Sequence, residues 1–576
     1  MAVYRSDQAQ LTFAVEAAPG GYPEVASSVT DGTGTAVINL AAGIPAGSRT
    51  LTVDALSGIT AGEFIQIGPE VGGSGTSEES EVRKVEFVDG TTGLVLDAPT
   101  GFFHPDNTNI QVVTAVADTD ADKLITFVPG IYESVDVPDP EQAIEPRYFL
   151  GTASKRNFFA AYKGQQTFSG SLGGFVLLDG RALRFPIGKV TTMPVESDGA
   201  TQAIEGTAIT LSAGTSSGAK KGDMYITVSA SHGLVANDYI LIYGAASTSS
   251  TDSLGTTGTS GTEVRKVAAV PSTNVMKLDA PLQFDHPTGA FIREVDASSL
   301  SRYKHTILET VDLDSVSWHV HMRDSGETAA NDFDRRYYGG KIGSMSLAAE
   351  EGGLLTCSWD GINFLGMVHN QQKEGDITVG NGLHIADQMP FYSLMKTIDS
   401  GDIQFPSNEP YYFSQGRVTL FGTEIARVRS FSLSINNNEE PRYYLTRQMG
   451  RHRGPTEIRE QRREYSCTVS LALPDSAAAS STATTVFKEL LLEGDYGAGM
   501  RGFDIELRFD RGTNDSILIN IPDNTTSAAA TGGNAQGAFI RTAPHNITDA
   551  NPLEVEADIL FRNLKITIED SNPVYI

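Results

Sequence analysis

His319 and His321 stand two residues apart with Asp324 close behind them, a spacing that on a strand sets both imidazoles on one face, as some zinc sites require. Their alternation with Trp318, Val320 and Met322 is equally that of a half-buried strand with its histidines on the wet side, and this second reading is preferred. His104 and His286 each precede a proline at matching places in a repeat, which fits a shared turn better than a ligand set. Gly340-Lys341 is followed by Ile342 rather than Ser or Thr, and Arg335 stands where a phosphate-binding loop needs its first glycine. Paired carboxylates are plentiful, but among 71 acidic residues they single out nothing. No Gly-x-Ser-x-Gly elbow or Ser/His/Asp order emerges. The residues therefore predict no catalytic, cofactor-binding or metal-binding site, no cofactor and no enzyme; a hydrolase acting on carbohydrate is the weakest alternative.

One stretch breaks the acidic trend. Arg442, Arg447, Arg451, Arg453, Arg459, Arg462 and Arg463 face only Glu457 and Glu460 between positions 442 and 463, a local balance of +5. Gly450, Gly454 and Pro455 make the segment a long loop or hairpin. It reads as a basic loop satisfied by local acids, as a contact to an acidic neighbouring subunit, or as a DNA contact. The second is favoured, because guanidinium forks suit carboxylates at interfaces.

The elements that must carry these residues have period two. Phe431, Leu433 and Ile435 alternate with serines, and Tyr465, Cys467, Val469 and Leu471 alternate mainly with Ser466, Thr468 and Ser470. Half-buried strands follow, and 58 glycines with 25 prolines supply the turns between them. Two helices are expected: Thr484–Glu493, ended by Gly494, and a weaker one over Pro390–Ile398. Cys357 and Cys467 sit at inward positions of strands and read as buried, unpaired thiols. A net charge of −28 disfavours tight binding of nucleic acid and fits either high solubility or a high-salt habitat. No apolar run approaches the roughly 20 residues of a membrane helix, and the first residues lack an export signal, so the chain reads as soluble and free of membranes.

Two duplications organise the 576 residues. Glu81-Val82-Arg83-Lys84-Val85, Leu96-Asp97-Ala98-Pro99 and His104-Pro105 return 182 positions later as Glu263-Val264-Arg265-Lys266-Val267, Leu278-Asp279-Ala280-Pro281 and His286-Pro287. A constant offset means one small β-module present twice, over 34–115 and 200–295. Glu145-Pro146-Arg147-Tyr148-Phe149-Leu150 returns 295 positions later as Glu440-Pro441-Arg442-Tyr443-Tyr444-Leu445, which makes the remainder a second pair. The division is then a first larger β-domain over 1–33, 116–199 and 296–400, interrupted by both modules, and a second over 401–576.

Outside the modules a series of ordered blocks carries a resemblance. Phe175-Val176-Leu177-Leu178-Asp179-Gly180-Arg181-Ala182-Leu183 is followed by Phe185-Pro186-Ile187-Gly188 and Asp314-Ser315-Val316-Ser317-Trp318. Gly339 to Leu347, Glu350-Glu351-Gly352-Gly353, Val418-Thr419-Leu420-Phe421-Gly422 and Ser430 to Glu440 complete the series. In this order the chain resembles the tail tube (major tail) proteins of tailed viruses of bacteria and archaea, in the branch with two tube-type domains per chain. The paired insertions and the absence of a clear helix in the first half depart from that pattern.

The resemblance implies an all-β chain: two tandem tail-tube-type sandwich or barrel domains with two inserted small β-modules and few short helices. It implies a structural subunit that forms rings stacked into an acidic-lined conduit, through which double-stranded DNA passes without tight binding. Rings of three chains imitating six-fold order are implied, six chains being the other arrangement. Other tail proteins are the further partners, the virion tail is the location, and assembly takes place in the host cytoplasm. The alternative from another class is a virion decoration or cell-surface layer protein built on the repeated modules. On the tube reading both modules, with their glycine- and serine-rich loops 68–80 and 244–262, are expected to project outward from the tube, clear of the lumen.

Overall fold

The fold is described from a computed structural model over residues 4–16, 29–70, 81–116, 126–147, 160–194, 204–243, 261–295, 302–324, 333–369, 403–444, 454–472, 505–521, 538–546 and 554–575, apart from short gaps within these spans. The expected helices Thr484–Glu493 and Pro390–Ile398 lie outside the described residues. So do the two glycine- and serine-rich loops for most of their length.

The chain is nearly all β, as its alternation predicts, and its described helical pieces are the 3-10 turns Arg181–Leu183 and Phe413–Gln415. Strand β1 (Tyr4–Val15) leads into β2 (Val29–Val37), β3 (Thr50–Thr52), β4 (Phe64–Glu70), β5 (Glu81–Asp89), β6 (Gly93–Leu96) and β7 (Thr108–Val116). Then come β8 (Thr126–Phe127), β9 (Val135–Asp136), β10 (Pro140–Arg147), β11 (Ala160–Val176) and β12 (Gly188–Pro194). A second group holds β13 (Ile204–Thr210), β14 (Tyr225–Thr227), β15 (Tyr239–Tyr243), β16 (Glu263–Ser272), β17 (Val275–Leu278) and β18 (Phe291–Val295). It is followed by β19 (Tyr303–Glu309), β20 (Val316–Asp324), β21 (Phe333–Glu350), β22 (Thr356–Asn363) and β23 (Gly366–His369). The C-terminal part contains β24 (Ile403–Gln404), β25 (Gly416–Leu420), β26 (Thr423–Ile425), β27 (Val428–Asn436), β28 (Glu440–Arg442), β29 (Glu457–Arg459) and β30 (Glu464–Ala472). It closes with β31 (Ile505–Gly512), β32 (Asp515–Ile521), β33 (Phe539–Thr542), β34 (His545–Asn546), β35 (Glu554–Leu560) and β36 (Lys565–Asp570).

The repeated segments fold alike. One six-stranded sheet runs β2-β7-β4-β5-β6-β3 and the other β13-β18-β15-β16-β17-β14, the same order strand for strand. Each closes on its own apolar core, around Ile65, Leu96 and Ile110 in one and Ile240, Leu278 and Ile292 in the other. Strand β2 starts at Val29, ahead of the boundary at 34 read from the sequence.

The rest of the chain packs as two layers. A 15-stranded sheet contains the path β24-β8-β1-β20-β21-β27-β30-β35-β33, with β22 and then β11 lying on the other side of β21. A 7-stranded sheet runs β12-β19-β36-β32-β31-β25-β26. Both sheets join the two halves of the sequence, the larger through β21 against β27 and the smaller through β19 against β36. Register explains the layering. Leu172, Trp359, Met345, Ile435 and Tyr465 line up across five strands of the large sheet, and the next inward row is Phe175, Cys357, Leu347, Leu433, Cys467 and Ile559. All are buried in one core with Ile517, Ile519 and Ile566 of the smaller sheet. Each buried aliphatic or aromatic side chain contributes roughly 1.5–3 kcal/mol, so these rows fix the register as well as the stability.

Candidate functional site

Because inward and outward positions alternate, the inward rows force a second set onto the opposite face of the large sheet. Ser358, Ser346, Ser434 and Ser466 form one row, ending at Leu560. Thr356, Ala348, Ser432, Thr468 and Asp558 form the next, and Glu350, Ser430, Ser470 and Glu556 the one after. On the other flank Asp360, Ser344, Asn436 and Glu464 line up. These positions are half-buried or exposed, and Ser346 Oγ lies 2.6 Å from Ser358 Oγ. The face is thus a lawn of small hydroxyls set among carboxylates, with Arg541 paired to Asp558 at 2.5 Å near its margin. Such a surface disfavours phosphate and, among the described residues, offers no aromatic side chain for a base to stack upon. The sequence displayed the serine alternation; what it concealed was that the serines of distant strands share one face.

Two hairpins continue from strands of this sheet, and each carries one copy of Glu-Pro-Arg. Strand β10 pairs with the first part of β11, Glu145 opposite Tyr162, while β28 pairs with β29, Glu440 opposite Arg459. The chain turns from β27 toward β28 at Asn438 in the left-handed region (φ 48°), a conformation asparagine tolerates better than most residues. The hairpins touch: Tyr443 Oη donates to the Gln166 carbonyl at 3.1 Å.

The arginine segment divides between these surroundings. Arg442 pairs with Glu440 at 2.6 Å, while Arg459 and Arg462 are exposed. Arg463 is half-buried and donates to Asn437 Oδ1 (2.7 Å) and to the carbonyls of Ile187 (3.2 Å) and Thr310 (3.3 Å), so it clamps the two halves together. Arg447, Arg451 and Arg453 lie outside the described residues. Beneath the hairpin Lys341 pairs with Glu460 at 2.6 Å. Glu439 is sealed beside them with neither carboxylate oxygen hydrogen-bonded among the described residues, and burial pushes its pKa up to about 8.

Further polar groups are buried where the layers meet. Asp314 takes Arg184 at 2.9 Å and Lys221 at 2.7 Å, tying the second repeated unit to the main body. Thr192 N donates to Thr262 O and Val190 N to Gln283 Oε1 at the same contact. The His305 ring stacks on Tyr575 at 3.7 Å and lies 3.2 Å from Asp570. Within the second unit, His286 and Arg265 both hold the buried Glu263, each at 2.6 Å. His286 and its counterpart His104 are buried beside bridges to Ala219 and Ile44, which matches the shared turn expected of them.

The wet strand face expected for His319 and His321 is corrected at His319, while the side chains of His321 and Asp324 lie outside the described ones. His319 is buried, and burial with the neighbouring Arg336 pushes its pKa well below the ordinary range, leaving the ring neutral. Ser317 on the same face is buried too and donates to Glu16. Both faces of β20 are covered here, which alternation alone does not reveal. Cys357 and Cys467 are buried and unpaired, as read from their inward positions. Among the described residues no group of three or more His, Cys, Asp or Glu side chains could hold a metal ion, and no helix is long and apolar enough to cross a membrane.

A family model described as phage tail tube protein matches residues 6–559. No curated protein matches the chain.

Proposed function

Because the chain belongs to the phage tail tube protein family, a structural component of the virion tail, we propose that its copies join edge to edge into rings that stack as a conduit for the genome. What supports this most directly is the large sheet, whose outer strands have, among the described residues, no partner on their outer sides while the sheet already joins two half-chains without a break. Open edges complete themselves by pairing with a neighbour. The hydroxyl and carboxylate face lines the passage, where its charge keeps DNA from adhering. Three chains per ring, each supplying two similar halves, give approximate six-fold order.

The two larger β-domains, 1–33 with 116–199 and 296–400, and 401–576, are the repeating units of that ring. The modules 34–115 and 200–295 project outward from it. The exposed Arg459 and Arg462 and the half-buried Arg442, with Arg447, Arg451 and Arg453 of the same segment, reach carboxylates of an adjoining subunit, whereas Arg463 serves within the chain. Assembly takes place in the host cytoplasm with other tail proteins, and no catalysis is involved. Sedimentation and electron microscopy of the purified chain test the reading: rings or tubes support it, and a monomer at every protein and salt concentration overturns it.

A further inference from the structure

The repeat makes a comparison available inside one molecule. Shifting by 295 (440 minus 145) carries β9 and β10 onto β27 and β28, and β11 onto β29 and β30. The sheet order is then alike in both halves: β9/β10, β11, β22, β21 in the first, and β27, β30, β35, β33 in the second, where β28 and β29 pair apart as a two-stranded ribbon. Equivalent strands nevertheless differ in their neighbours. Strand β27 is paired on both sides, by β21 and β30, and Asn437 after it is held by the carbonyls of Ile342 (2.9 Å) and Pro186 (3.1 Å). Strands β9 and β10 are paired by β11 alone among the described residues. At the opposite end β33, which stands where β21 stands in the first half, is paired by β35 alone among the described residues.

Exposure follows the same division. Glu439 has its carboxylate sealed, while its equivalent Ile144 is 67% exposed, and Tyr162 on the adjoining strand is 61% exposed. Their register, Ile144 opposite Lys163 and Tyr162 opposite Glu145, sets the two large side chains on opposite faces of one hairpin, so each face carries a bare side chain for a neighbour to cover. Charge distinguishes the two open edges as well. Asp136 and Glu141 are exposed along the first, beside the Glu145–Arg147 pair, and β33 presents Arg541, paired with Asp558, at the second.

Given the tube reading above, on which this rests, we propose that β33 of one copy pairs with the β9–β10 edge of the next, repeating between copies the β21–β27 junction found within each. The partner is a second copy of this chain, bound head to tail, and the junction covers Ile144 on one face of the hairpin and Tyr162 on the other. The first hairpin of one copy then lies against Gln461 of its neighbour, the position equivalent to Gln166, just as Tyr443 lies on Gln166 within the chain.

The test uses full-length chains carrying Ile144→Asp at one edge or Arg541→Glu at the other, with Tyr162→Asp and Thr542→Glu as second variants should either fold poorly. The wild type assembles, and each variant alone needs about tenfold or more protein to do so, with an unchanged thermal midpoint. Mixing the two edge variants yields a dimer of two chains, because each retains one sound edge. A wild type that never assembles overturns the tube reading itself. A wild type that assembles while both variants match it, or a mixture that remains monomeric, overturns this junction and leaves that reading standing.

Discussion

Asp314 is the acceptor for two cations, Arg184 from the turn after β11 and Lys221 from the second repeated unit. Burial alone would raise its carboxyl, but the guanidinium and the ammonium outweigh burial and hold it below the ordinary aspartate range. Arg184 is itself fully buried, so Asp314→Asn strands a cation and is expected to cost about 3–5 kcal/mol, measurable by denaturant unfolding. A loss under about 1 kcal/mol would mean that the pair is not the clamp described. Glu439 works in the other direction. Its folded pKa, about 8, lies above the ordinary 4.5, so between those values the folded chain holds a proton that the unfolded chain has released. Stability contributed by this site is present below pH 4.5 and is lost as pH rises toward about 8. Glu439→Gln should therefore flatten the decline of the thermal midpoint between pH 5 and pH 8, and an unchanged slope would refute the assignment. Cys467, pushed up to about 12 by burial, should resist thiol reagents until the chain unfolds.

The two repeated sheets share a strand order but not an attachment. The second is tied to the body by Lys221 with Asp314, by Thr192 with Thr262 and by Gln283 with both Val190 and the Tyr575 carbonyl. The first reaches it through Arg49 and the Tyr338 hydroxyl at 2.7 Å. Removing the second unit should lower the thermal midpoint of the remainder by several degrees, while removing the first should leave it nearly unchanged, and both shortened chains should still assemble. Equal loss from either deletion in a calorimetric scan would contradict this. These elements also show how far the sequence could be read. The strand Glu81–Asp89 and its partner Glu263–Ser272 were visible in a shared Glu-Val-Arg-Lys-Val, and β27 and β30 in their serine alternation, because period two is a local property. The burial of His319 and the clamping role of Arg463 were not visible. Each depends on groups distant in sequence, such as Arg336 for the first and Ile187 and Thr310 for the second.

A chain of net charge −28 must bring like charges together in order to form a ring. Screening shortens their reach from about 10 Å at 0.1 M salt to about 3 Å at 1 M, so added salt should shift the equilibrium toward assembled forms. Assembly that weakened with salt, followed by light scattering, would show that attraction between charged edges dominates. On the proposed reading the acidic face matters at this scale, because a wall of hydroxyls and carboxylates lining the tube would enclose DNA without retaining it. End-on micrographs of the purified wild-type chain in 1 M salt decide between a ring and a monomer. Closed rings of three copies are expected, with six similar lobes around an open centre; separate globules at every protein concentration would contradict the ring.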